Sequence, residues 1–168
     1  VSIVSDTDRH FLHLGTEATI GDTSSFDPML IRFSDQENFT DYQPTSINTA
    51  GTFRIDDGTE IVGAVRAKDY ILVFTDTAAY TMQYVGAPFT FSIRKVGSNC
   101  GLMSSHSMAF VDGVVYWMDD AGSFNAYNGT VVKIPCSVED FVFTTANPGD
   151  LGFNYDAGRL VYASHNSL

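Results

Sequence analysis

The chain has 168 residues, 44% hydrophobic and 13% aromatic, with 9 basic against 20 acidic residues and a formal net charge of −11. That length and apolar content suffice for a folded core, about 70% of the unfolded surface being buried at this size, and they exclude a disordered polar chain. The acidic balance argues against a grip on phosphate backbones and against attraction to anionic membranes, and no stretch approaches the roughly 18 apolar residues of a helical span.

In chain order, residues 1–8 read as a polar linker or the tail of a preceding strand. Arg9 to Leu14 is a predicted strand, and Gly15 to Pro28 a long loop with room for a small hairpin around Ala18–Ile20. Met29 to Phe33 is the next strand, Asp35–Asn38 a turn, and Phe39 to Tyr42 a return strand. Phe53 to Ile55 closes this first unit. Asp57-Gly58 turns into a second unit with strands Ile61–Arg66, Tyr70–Thr75, Ala79–Tyr84 and Phe89–Val96. Alternation in the last of these puts Phe89, Phe91 and Ile93 on one face. A third unit follows Gly97–Gly101, with strands Ser107–Val111, Val114–Met118, Ser123–Tyr127 and Thr130–Ile134. A fourth begins near Phe141 and includes Arg159–Ala163. Helical periodicity is absent beyond a turn near Cys136–Phe141.

An aromatic–x–Asp marker recurs as Phe33-Ser34-Asp35, Phe74-Thr75-Asp76 and Trp117-Met118-Asp119. The partner strand repeats as Phe39-x-x-Tyr42, Tyr80-x-x-x-Tyr84 and Phe124-x-x-Tyr127, and Leu160-Val161-Tyr162 follows Gly158 much as Val115-Tyr116-Trp117 follows Gly113. A period of about 40–45 residues with four short strands is the mark of β-propeller blades. The expected fold is all-β, a propeller-like array of antiparallel four-stranded blades over approximately 9–55, 61–96, 102–135 and 138–168. Phe33, Phe74 and Trp117 are expected at equivalent places in successive blades. The chain begins at Val1 and stops at Leu168 just after a predicted strand, so it reads as part of a larger protein and a larger propeller.

Asp35, Asp76 and Asp119 invite a metal or acid–base reading. An Asp at a strand end also forms an Asx-turn with the backbone two residues on, and its recurrence is better explained by the blade. Asp56-Asp57 and Asp119-Asp120 lack the spaced oxygen ligands of a calcium loop. His10 and His13 differ by three and point to opposite faces of a strand, and His106 and His165 have no partner at ligand spacing. Trp117, flanked by Val-Val-Tyr, reads as core rather than a carbohydrate platform. Cys100 and Cys136 flank a whole blade, roughly 14 Å apart at about 4.8 Å per strand, and are expected as free thiols. No nucleophile elbow, H-E-x-x-H, phosphate loop or Cys-x-x-Cys occurs, so no catalytic, cofactor or metal residues are assigned. Asn38-Phe-Thr40 and Asn128-Gly-Thr130 match the glycosylation triplet without a visible secretory context.

Several longer stretches resemble one family. They are Asp27-Pro-Met-Leu-Ile-Arg-Phe-Ser-Asp-Gln-Glu-Asn-Phe-Thr-Asp-Tyr-Gln-Pro44, Gly58-Thr-Glu-Ile-Val-Gly63, Phe74-Thr-Asp-Thr-Ala-Ala-Tyr-Thr-Met-Gln-Tyr-Val-Gly-Ala-Pro-Phe89, Gly97-Ser-Asn-Cys-Gly101 and Val111-Asp-Gly-Val-Val-Tyr-Trp-Met118. They are similar to the tail-hub or nozzle (packaged-DNA stabilisation) proteins of short-tailed bacteriophages, over most of residues 9–136. The resemblance implies a non-enzymatic virion subunit without a cofactor, one of a homo-oligomeric ring in the phage tail. That ring contacts portal, adaptor and other tail proteins, extends the DNA channel below the portal and helps retain packaged DNA. Genomic DNA would pass without specific binding, and no membrane is involved. Two other readings of a propeller are a glycan- or receptor-binding module, which needs exposed aromatics beside Asn or Asp on one loop face, and a glycosidase such as a sialidase, which needs an Arg cluster.

Overall fold

The computed structural model describes residues 2–6, 8–137 and 139. They form three four-stranded antiparallel sheets, each a simple meander of consecutive strands. Blade 1 comprises β1 (Ser2–Ser5), β2 (Phe11–Glu17), β3 (Phe26–Phe33) and β4 (Gly51–Arg54), with a single 3-10 turn at Thr23–Ser25 before β3. Blade 2 comprises β5 (Ile61–Arg66), β6 (Ile71–Thr75), β7 (Ala78–Gly86) and β8 (Thr90–Ser98). Blade 3 comprises β9 (Met108–Val111), β10 (Val114–Met118), β11 (Phe124–Tyr127) and β12 (Val131–Ile134). β1 lies against β5 and β5 against β9. The first strands of successive sheets are therefore neighbours, which is the radial order of propeller blades. The expected fourth blade, 138–168, lies outside the described residues.

The blades are held face to face by two apolar layers. In β6 every residue is buried. Ile71 and Val73 point into the layer shared with blade 1, among Leu12, Leu14, Met29, Ile31, Phe33, Tyr80, Met82 and Phe91. Leu72 and Phe74 point the other way, into the layer with Leu102, Val115, Trp117 and Tyr127 of blade 3. A strand with partners on both faces needs apolar residues at every position, which is why Ile71-Leu-Val-Phe-Thr75 reads as an unbroken run rather than an alternation.

Blades 2 and 3 follow the predicted strands within one or two residues. Blade 1 does not. Ser2–Ser5, expected as linker, is its first strand and pairs with β2 through Val4↔Leu12 and Ser5↔Phe11. The predicted return strand Phe39–Tyr42 is loop. The chain leaves Phe33 at the end of the third strand and reaches β4 only at Gly51, which pairs with Phe33 itself. Within that loop Phe39 is 66% exposed and meets Phe11 edge-on, while Tyr42 meets His13 edge-on. Phe89, expected to open a strand and share one face with Phe91 and Ile93, sits in the β7–β8 turn and is exposed.

Candidate functional site

Phe74 and Trp117 occupy the same place in their blades, near the end of the second strand and facing one shared layer. Their rings lie 4.9 Å apart. The Trp117 indole N–H donates to the Cys100 carbonyl at 2.9 Å, so at 2% exposure the residue is core with its one polar atom satisfied. Phe33 does not share this position. It ends a third strand, and strands two and three run in opposite directions, so its aspartate lies at the other end of its sheet.

The marker aspartates are all held by their own blades. Asp119 is buried and closes the β10–β11 turn, its carboxylate accepting from the Ser123 amide at 2.8 Å and the Asn125 side-chain amide at 2.7 Å. Asp76 accepts from the Thr59 amide at 2.8 Å and hydroxyl at 2.6 Å, tying the end of β6 back to the chain entering β5. Burial pushes the Asp76 carboxyl up, but its hydrogen bonds together, those from Thr59 foremost, outweigh this and hold it below the usual range. Asp35 accepts from the Thr49 amide and hydroxyl, both at 2.8 Å, and these hydrogen bonds lower its carboxyl. None of the three makes the expected Asx-turn with the backbone two residues on: Asp119 reaches Ser123, four residues on, and the other two clamp distant chain.

A cleft of about 260 Å³ opens between blades 2 and 3, lined by Glu60, Val62, Asp76, Leu102, Met103, Ser104 and Asp120. Its acidic rim and apolar floor would repel anions and admit neutral or cationic groups. Among the described residues no group of three or more His, Cys, Asp and Glu side chains is placed to hold a metal ion. Cys100 and Cys136 are both free. Burial, with Asp119 nearby, pushes the Cys100 thiol up to about 11, which leaves it a poor nucleophile.

Sequence reasoning missed two buried polar residues. His10 sits in the turn before β2, wholly inaccessible, with its Nδ1 2.9 Å from a carboxylate oxygen of Asp6 and its Nε2 3.3 Å from the Thr49 hydroxyl. Arg32, on the face of β3 away from blade 2, is 6% exposed. Its Nη2 donates to the Glu17 and Ala18 carbonyls at 2.8 and 3.1 Å, and its Nε has no hydrogen-bond partner. His13 pairs across the strands with Arg32. Burial lowers the His13 ring, Glu17 opposes this, and Arg32 adds to it. His10 and His13 do face opposite sides, His106 is exposed in a turn, and His165 lies outside the described residues. The spacing Asp6-x-x-x-His10 was the available signal for the first pair, but a turn closed on an Asp is common enough to pass unnoticed.

No helix among the described residues is long and apolar enough to cross a membrane. No family model matches the chain, and no curated protein matches it.

Proposed function

We propose that this chain is a non-enzymatic structural subunit of a short-tailed phage tail, part of a ring that extends the DNA channel below the portal and helps retain the packaged genome. The observation that carries this reading is how its recurrent carboxylates are used. Asp35, Asp76 and Asp119 are each occupied by donors of their own blade, so these carboxylates build blades instead of presenting chemistry. The nozzle-like stretches identified in the sequence supply the tail assignment, and the radial order of the sheets fits a rigid wall element.

A net charge of −11 suits a surface past which DNA slides. Phosphates are repelled, and few cations are available to release counterions. Retention then falls to shape and assembly, with copies of the chain and neighbouring tail proteins as partners. Trp117, buried between blades 2 and 3, supplies no glycan platform.

The test is an anisotropy titration of the chain against duplex DNA at near-physiological salt. No saturable binding at micromolar protein is expected. Micromolar or tighter binding with a steep salt slope would count against an acidic channel wall. Turnover of a glycoside substrate that is lost on changing one carboxylate would replace the structural reading with an enzymatic one.

A further inference from the structure

The polar cluster around His10 joins three separate parts of the molecule. Asp6 belongs to the turn between β1 and β2, and its carboxylate accepts from the backbone amides of Asp8 and His10 as well as facing the His10 ring. Thr49 belongs to the long loop between β3 and β4. Its hydroxyl stands 3.3 Å from His10 Nε2, donates to Asp35 at 2.8 Å and accepts from the Gln36 amide at 2.9 Å. Two rings of blade 2 lie beside the imidazole, Tyr84 of β7 tilted at 40° with centroids 4.9 Å apart and Phe91 of β8 in an edge arrangement at 70° and 5.0 Å. The charged and titratable groups around the ring are thus Asp6 and Asp8 from its own turn, Asp35 beyond Thr49, the Arg9–Glu37 ion pair that ties the turn to the loop, and the Tyr84 phenol from blade 2.

The geometry distinguishes two forms of the ring. A doubly protonated imidazole donates at both nitrogens, to Asp6 and to Thr49, and the Thr49 hydroxyl in turn donates to Asp35. Every donor then has an acceptor, and the chain ends on a carboxylate at each side. In the neutral ring Nδ1 keeps its proton for Asp6, and Nε2 becomes an acceptor. The Thr49 hydroxyl has a single hydrogen, so either Nε2 is left without a donor or Asp35 loses one of its two holds on the loop, and the network has one bond fewer.

We propose that His10 is a proton-operated latch: the protonated ring ties the β1–β2 turn and the 34–50 loop to the blade 2 hairpin, and the neutral ring lets that loop loosen. Its effect is present while the ring carries both protons and is lost when one of them leaves.

The test follows the imidazole nitrogens of His10 by nitrogen-15 resonance between about pH 5 and pH 8. In the same samples the hydrogen exchange of the Gln36 and Thr49 amides is measured, corrected for the intrinsic rate. The ring should pass from doubly to singly protonated, and protection of the two amides should fall roughly tenfold, the loss of one charge-assisted hydrogen bond. The two changes should share a midpoint. Thr49→Val should remove the pH dependence of the Gln36 amide. A ring that keeps one protonation state across the window overturns the latch. So do separate midpoints for ring and loop, or a Thr49→Val chain whose pH dependence matches the unmodified protein.

Discussion

Trp117 shows how much one side chain can settle. Its ring fills the layer between blades 2 and 3 and its N–H reaches the Cys100 carbonyl. Trp117→Ala should therefore cost about 3–5 kcal/mol of folding stability in a denaturant melt. Trp117→Phe should cost less while leaving that carbonyl unpaired; an alanine variant that melts like the unmodified chain would remove Trp117 from the core. The clamp aspartates make a pH prediction. Asp35 and Asp76 titrate below their ordinary range in the folded state. Their contribution is thus fully present above the unfolded value of about 3.9 and is lost as pH falls through the lower folded values. Asp35→Asn and Asp76→Asn should each flatten the acid limb of a melting-temperature profile below about pH 4, with little change in shape near neutrality. An unchanged acid limb in both variants would show that the clamps do not set acid stability.

At the scale of elements, the crossing from blade 2 to blade 3 explains a glycine. A side chain on Gly101 would run into the Asp76 backbone, because the chain between β8 and β9 passes directly over the end of β6. Cys100 and Leu102 donate their amides to the Thr77 and Thr75 carbonyls on either side of it. Gly101→Ala should destabilise by about 1–3 kcal/mol through this overlap, measured by chemical denaturation, and a neutral result would mean the crossing can shift. Blades 2 and 3 were legible in the sequence because their strands are bounded by short turns such as Asp112-Gly113 and Asn128-Gly129 and carry dense β-branched and aromatic residues. Blade 1 was not. Its marker Phe33-Ser-Asp35 matches the others in letters but sits one strand later, and the apolar Phe39 and Tyr42 that imitated a strand instead decorate a loop. Ser2-Ile-Val-Ser5 was too short and too near the start of the sequence to outweigh that false register. His10 was beyond pattern reading altogether, since its partners Thr49, Tyr84 and Phe91 are far from it in sequence.

For the molecule as a whole, the radial order of three blades and the acidic charge fit a wall element, and the carboxylates that could have suggested chemistry are used to hold the blades. Such a role is defined by where the protein stands in an assembly. The most direct test of the proposed tail role is therefore gold-labelled antibody against this chain on purified short-tailed virions of the source that the proposal implies, viewed by electron microscopy beside tailless particles. The account predicts label at the tail just below the head junction and none on the tailless particles. Label absent from intact virions, with the protein recovered only in the soluble fraction, would contradict it.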